Sequence, residues 1–150
     1  MTSRRFDPRK LEKLNDPERL RIQDPELIWK ALNLKDPRVL VDIGAGTGFF
    51  AVPFCDKMQQ GKVYACDISP TMVEWMKENL PRRYRDVILP IRMEESAVPL
   101  ADGIADLVYM IDLHHELKEP VKIVSEAWRL LRKGGKVMII DWKRQESPKG

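Results

Sequence analysis

Apolar residues in this chain fall into two successive patterns. Over residues 1–38 they are spaced as on short helix faces: Leu11, Leu14, Leu20, Ile22, Leu27, Ile28, Trp29 and Leu32. Asp-Pro pairs punctuate this stretch at Asp7-Pro8, Asp16-Pro17, Asp24-Pro25 and Asp36-Pro37. Aspartate at an N-cap followed by proline at the first helical position starts a helix well. Three short helices are therefore predicted, roughly at 8–14, 17–22 and 25–33. The recurrence reads as local capping, not as an internal repeat.

From Val39 onward short apolar runs alternate with helix-length segments. Strand 39–43 leads to helix 48–59, which Gly61 closes, and strand 62–66 leads through Ser69-Pro70 to a helix ending near Leu80. Strands 87–92 and 105–111, helix 120–132, a Gly134-Gly135 stop and strand 136–141 complete the count. Strands alternating with helices of this length imply βαβ units and a mostly parallel sheet. Pro90 inside the third strand places that strand at an edge, because proline cannot donate to a ladder. Val137–Ile140 is continuously apolar, the signature of burial on both faces. In the last helix Val121, Val124, Trp128 and Leu131 read as the core stripe. Arg129, Arg132 and Lys133 read as cations at the helix's negative end. Arg82, Arg83 and Arg85 read as a solvated cluster.

Composition narrows the function classes. A chain of 150 residues with 43% apolar content can fill one core. Twenty-six basic against twenty-three acidic residues leave a charge of +3, too mild for a nucleic-acid footprint by itself. No apolar run approaches the roughly 18 residues of a membrane span, and MTSRRFDPRK lacks the apolar core of a signal peptide. Cys55 and Cys66 have no metal spacing and read as reduced thiols, so a cytoplasmic protein without a metal site is expected.

The chemistry centres on VLVDIGAGTGFF, residues 39–50. A buried strand ends in Asp42 and breaks into a turn of Gly44, Ala45, Gly46 and Gly48. Glycines without Cβ atoms let backbone lie against a ligand, and the following helix aims its N-terminus there. The spacing is neither GxGxxG nor GxxxxGK[ST]. A carboxylate two residues ahead of the turn suits a cationic ligand better than a phosphate. These residues resemble motif I of the class I S-adenosylmethionine-dependent methyltransferases, VLDxGxGxG. That cofactor carries an ammonium and a sulfonium and no phosphate.

The resemblance extends downstream. VYACDIS matches the second motif, which implies that Asp67 accepts the ribose hydroxyls and Ile68 stacks on adenine. Met93-Glu94-Glu95-Ser96-Ala97-Val98-Pro99-Leu100 is similar to the third motif, which puts Glu94 at the adenine amino group with Met93 flanking the base. Met93 stands where the family usually has glycine. ADLVYMIDLHHEL is similar to the fourth motif, so the carbonyls of Met110 and Ile111 would face the cofactor ammonium and Asp112 and Leu113 would open toward the acceptor. His114 and His115, on the ligand side of the sheet, are the candidate acid/base groups.

The resemblance thus implies an α/β, Rossmann-like open sheet of order 3-2-1-4-5. A helical preface over 1–38 would pack on a methyltransferase domain over 39–150, all as one domain. The family usually continues with a helix and an antiparallel strand pair, and this chain stops at Gly150, so it is natively minimal or a fragment. The fifth strand would then offer an edge to a second copy. The pattern is most similar to the small-molecule group that includes the ubiquinone/menaquinone C-methyltransferases. The Asn-Pro-Pro-Tyr and Pro-Cys signatures of enzymes that methylate nucleic-acid bases are absent. Two other readings stay open: a cofactor-binding module without catalysis, and an NAD-dependent Rossmann oxidoreductase.

Overall fold

The computed structural model describes residues 23–111 and 118–141. Five strands form one sheet, order β3-β2-β1-β4-β5, and every pairing is parallel. The strands are β1 (Val39–Ile43), β2 (Lys62–Asp67), β3 (Ile88–Arg92), β4 (Ala105–Ile111) and β5 (Leu131–Ile140). The helices are α1 (Pro25–Leu32), α2 (Ala51–Lys57), α3 (Pro70–Asn79) and α4 (Pro120–Leu130). Order and parallel sense agree with the sequence reading. The predicted helices at 8–14 and 17–22 lie outside the described residues.

Local chemistry sets the element ends. The Asp24 side chain accepts from Glu26 N at 2.9 Å with Pro25 at the first helical position, so the Asp-Pro signal starts α1 as expected. Ser69 does the same for α3, accepting from Met72 N at 3.2 Å ahead of Pro70. In β3, Pro90 opposes Ala65 on the sheet's outer edge. A missing N–H costs nothing on a side with no partner strand.

The core has two layers, one on each face of the sheet. Leu40, Ala65, Leu107 and Tyr109 face α2 and α3, where Phe50, Phe54 and Met76 are buried, and Ile28, Trp29 and Leu32 of α1 pack onto this layer. Val41, Ile43, Cys66, Val108 and Met110 face α4 through Ile123, Ala127 and Leu130. All seven residues of β4 are buried, as befits a strand covered on both faces.

Three expectations need correction, all near the C-terminal side. The buried stripe of α4 is Ile123, Ala127 and Leu130, while Val121 is 78% exposed and Trp128 63% exposed. Both sets share helical periodicity, and only packing against the sheet decides between them. Second, α4 ends at Leu130 and β5 begins at once, so Gly134-Gly135 is no helix stop. Ala105 opposes Leu131 and Leu107 opposes Lys136, so two steps along β4 match five along β5. The glycines lie in that irregularity, where a Cβ on Gly135 would come within 2.8 Å of the Ala105 carbonyl oxygen. Third, β5 is partly exposed along its length, because it is an edge among the described residues and carries no second neighbour.

Candidate functional site

Four strand ends meet along one edge of the sheet. The carboxyl ends of β3, β2, β1 and β4 lie side by side in that order, the place where open α/β sheets hold ligands. They bring together Met93 and Glu94, Asp67 and Ile68, Asp42 with the Gly44–Gly48 turn, and Met110 with Ile111. Residues spread over seventy positions of sequence therefore share one rim. Asp112, Leu113, His114 and His115 lie outside the described residues.

The turn after β1 is held by β2. Gly44 N and Ala45 N both donate to the Cys66 carbonyl, at 2.8 and 2.9 Å. Gly46 N donates to Asp67 Oδ2 at 2.8 Å, and Ser69 N donates to Asp67 Oδ1 at 2.9 Å. Gly44, Gly46 and Gly48 have φ of 80°, 60° and 82°, the left-handed region that side chains resist. The first helix after the turn is shorter than predicted, starting at Ala51 and ending at Lys57. The turn itself thus supplies the inward backbone surface.

Two carboxylates flank that turn, and both are nearly out of water: Asp42 is 4% and Asp67 8% exposed. Burial pushes the Asp67 pKa up, and N–H groups of Ser69, Gly46 and Ile68 pull it back. An ionised carboxylate has about four acceptor positions, so beyond these three bonds to the chain Asp67 keeps about one for a ligand hydroxyl. No lysine or arginine stands in the 42–50 stretch. Such a donor set disfavours a pyrophosphate and accepts hydroxyls and cations.

The third rim segment is braced in two ways. Met93 N donates to the Asp67 carbonyl at 3.0 Å, and Glu94 N donates to the Ala97 carbonyl at 3.0 Å. Glu94 is exposed, while the Met93 side chain is buried with Val98 and Ile43. The Met110 side chain is likewise fully buried on the α4 face, so only its backbone reaches the rim. Ile111 turns to the opposite face.

Sequence reasoning missed Arg129. Rather than simply balancing a helix end, its guanidinium donates to the Val98 carbonyl at 2.9 Å and the Leu100 carbonyl at 2.9 Å. It also binds Asp102 at 2.6 Å and Glu126 at 2.7 and 3.0 Å. Glu126 closes the circuit by accepting from Val98 N at 2.7 Å. Arg129 and Glu126 stand one helical turn apart, a spacing visible in the sequence, but their shared target 27–31 residues upstream is not. Tyr109 was also missed, since one hydroxyl inside an apolar run carries no signal of its own. Arg83, read as solvated, donates to the Tyr84 hydroxyl at 2.6 Å, which in turn donates to Asp56 at 2.8 Å.

Among the described residues, no helix is long and apolar enough to cross a membrane. None of the His, Cys, Asp and Glu side chains described there form a group of three or more that could hold a metal ion.

Comparison with known proteins bears on this geometry. Residues 41–139 match the family described as methyltransferase domain. A SAM-dependent methyltransferase from Aquifex aeolicus superposes with a TM-score of 0.85 at 38% identity, covering 97% of this chain and 78% of that one. A possible histamine N-methyltransferase from Thermotoga maritima gives 0.67 at 27% identity, over 90% of this chain and 58% of that one. The ubiquinone/menaquinone biosynthesis C-methyltransferase of Paracoccus denitrificans is 27% identical over 127 residues, 81% of this chain. The chain spans about half the length of the curated relatives it matches. With its family match, its sheet order and its glycine turn in agreement, the chain belongs to the class I S-adenosylmethionine-dependent methyltransferases.

Proposed function

We propose that this chain transfers a methyl group from S-adenosylmethionine to a small-molecule acceptor, using the rim at the ends of β1–β4. The observation that carries the reading is the Gly46–Asp67 bond, which fixes a left-handed glycine turn beside two buried carboxylates. The donor set fits the cofactor's chemistry: a diol, an ammonium and a sulfonium, with no phosphate to neutralise. The cofactor supplies a methyl group made electrophilic by the sulfonium.

The chain's own residues do the rest. Asp67 accepts from a ribose hydroxyl, and Gly44, Ala45, Gly46 and Gly48 let the backbone approach. Ile68 and Met93 border the base, and Glu94 accepts from its amino group. Asp42 and the carbonyls of Met110 and Ile111 hold the ammonium end. Excluding water and fixing the acceptor in line matter more here than proton transfer. His114 and His115 are the groups proposed to take a proton from the acceptor where one must leave. The small-molecule class is supported by the names of the Paracoccus and Thermotoga relatives. The outer edge of β5, without a partner strand among the described residues, supports pairing with a second copy.

The test is turnover of methyl-labelled cofactor against a panel of small phenols, quinols and amines. Label transfer to one class, lost on His114→Gln or His115→Gln without loss of S-adenosylhomocysteine binding, supports the reading. Tight binding with no transfer to any acceptor favours a binding module instead.

A further inference from the structure

Tyr109 lies at the centre of β4, opposite Asp42 in the parallel β1–β4 register. Register partners on adjacent strands point to the same face of a sheet. The side chain is fully buried, and its hydroxyl faces the Asp42 carboxylate without completing a hydrogen bond of ordinary geometry to any described residue. Its ring meets Phe54 edge-on, with centroids 5.0 Å apart, and Phe54 is itself packed by Trp29 and Phe50. That packing denies the hydroxyl a route to water.

A buried hydroxyl without a completed hydrogen bond is a cost that phenylalanine would avoid at the same volume. Several groups act on it. Burial and the Asp42 carboxylate hold its proton on most strongly, ahead of Cys55 of α2 and Cys66 of β2. Both thiols have raised pKa values, chiefly from burial, and stay neutral. Asp42 is the carboxylate opposite Tyr109, and it stands just before the glycine turn.

Resting on the reading that this rim binds S-adenosylmethionine, we propose that Tyr109 is a positioning residue for the cofactor's amino-acid end. With ligand bound, its hydroxyl donates to the Asp42 carboxylate and fixes it toward the ammonium. Tyr109 touches no reacting atom and acts through Asp42 alone.

Two probes separate this from a packing role: S-adenosylhomocysteine, and 5′-methylthioadenosine, which keeps the nucleoside and thioether but lacks the amino-acid end. Tyr109→Phe is expected to weaken S-adenosylhomocysteine about tenfold, the scale of one hydrogen bond to a charged group. Its affinity for methylthioadenosine and its melting temperature should match or exceed those of the unaltered protein. In an Asp42→Asn background the same change should add nothing, since the acceptor charge is gone. Unchanged binding of both probes by Tyr109→Phe, or equal weakening of both, overturns the proposal. Failure of the unaltered protein to bind S-adenosylhomocysteine overturns the underlying reading and the proposal with it.

Discussion

Gly46 donates its backbone N–H to Asp67 Oδ2 at 2.8 Å, across 21 residues of sequence. One carboxylate therefore shapes the glycine turn after β1 while standing at the exit of β2. Turn and acid form one unit, and neither should be altered alone.

Asp67→Ala removes the acceptor for Gly46 N and Ser69 N together with the proposed ribose contact. Losing the proposed ribose contact, a hydrogen bond to a charged group, together with the brace of the turn corresponds to about a 100-fold weaker affinity for S-adenosylhomocysteine. Calorimetric titration of a variant whose circular dichroism is unchanged checks this. An affinity within about threefold of the unaltered protein would remove Asp67 from the site.

Arg129→Ala should loosen residues 98–102, whose carbonyls and side chains it holds from α4. A loss of about 1–3 kcal/mol in urea unfolding is expected. Backbone amides of that segment should exchange hydrogen faster than in the parent. Arg129→Lys keeps the charge but not the planar fork of donors, so it should restore little.

Asp106 ties the start of β1 to β4 and β5. It accepts from Arg38 N at 2.7 Å and Val39 N at 2.9 Å, and pairs with Arg132. Burial alone would raise its pKa, but these partners outweigh burial and hold it below the ordinary 3.8. A depressed carboxylate pKa contributes stability that is complete above the unfolded value and is lost as pH falls through the folded one. Asp106→Ala should therefore cost about 2–3 kcal/mol near neutrality. The gap between parent and variant should shrink as the pH drops below 3.8, which urea titrations along a pH series would show.

Much of this architecture was legible beforehand, for identifiable reasons. Pro90 marked the edge strand because proline lacks a donor, and Asp24 and Ser69 marked helix starts because caps are local. The rim followed from Gly44–Gly48 and Asp67, where chemistry and backbone freedom coincide. What stayed hidden depends on tertiary neighbours. Trp128 and Ile123 carry the same helical period, and only the sheet beneath chose Ile123 for burial. Gly134-Gly135 looks like a helix stop until the Ala105 carbonyl is found to leave no room for a Cβ at Gly135. Arg129 looks like an end charge until the 98–102 segment is folded beneath it.

The most direct measurement is a calorimetric titration of the purified protein with S-adenosylhomocysteine, with NADH in a parallel cell. We predict saturable one-site binding of S-adenosylhomocysteine, on the order of micromolar, weakened about 100-fold by Asp67→Ala, and no heat from NADH. A folded protein that binds NADH, or that binds S-adenosylhomocysteine equally well without Asp67, would contradict this reading.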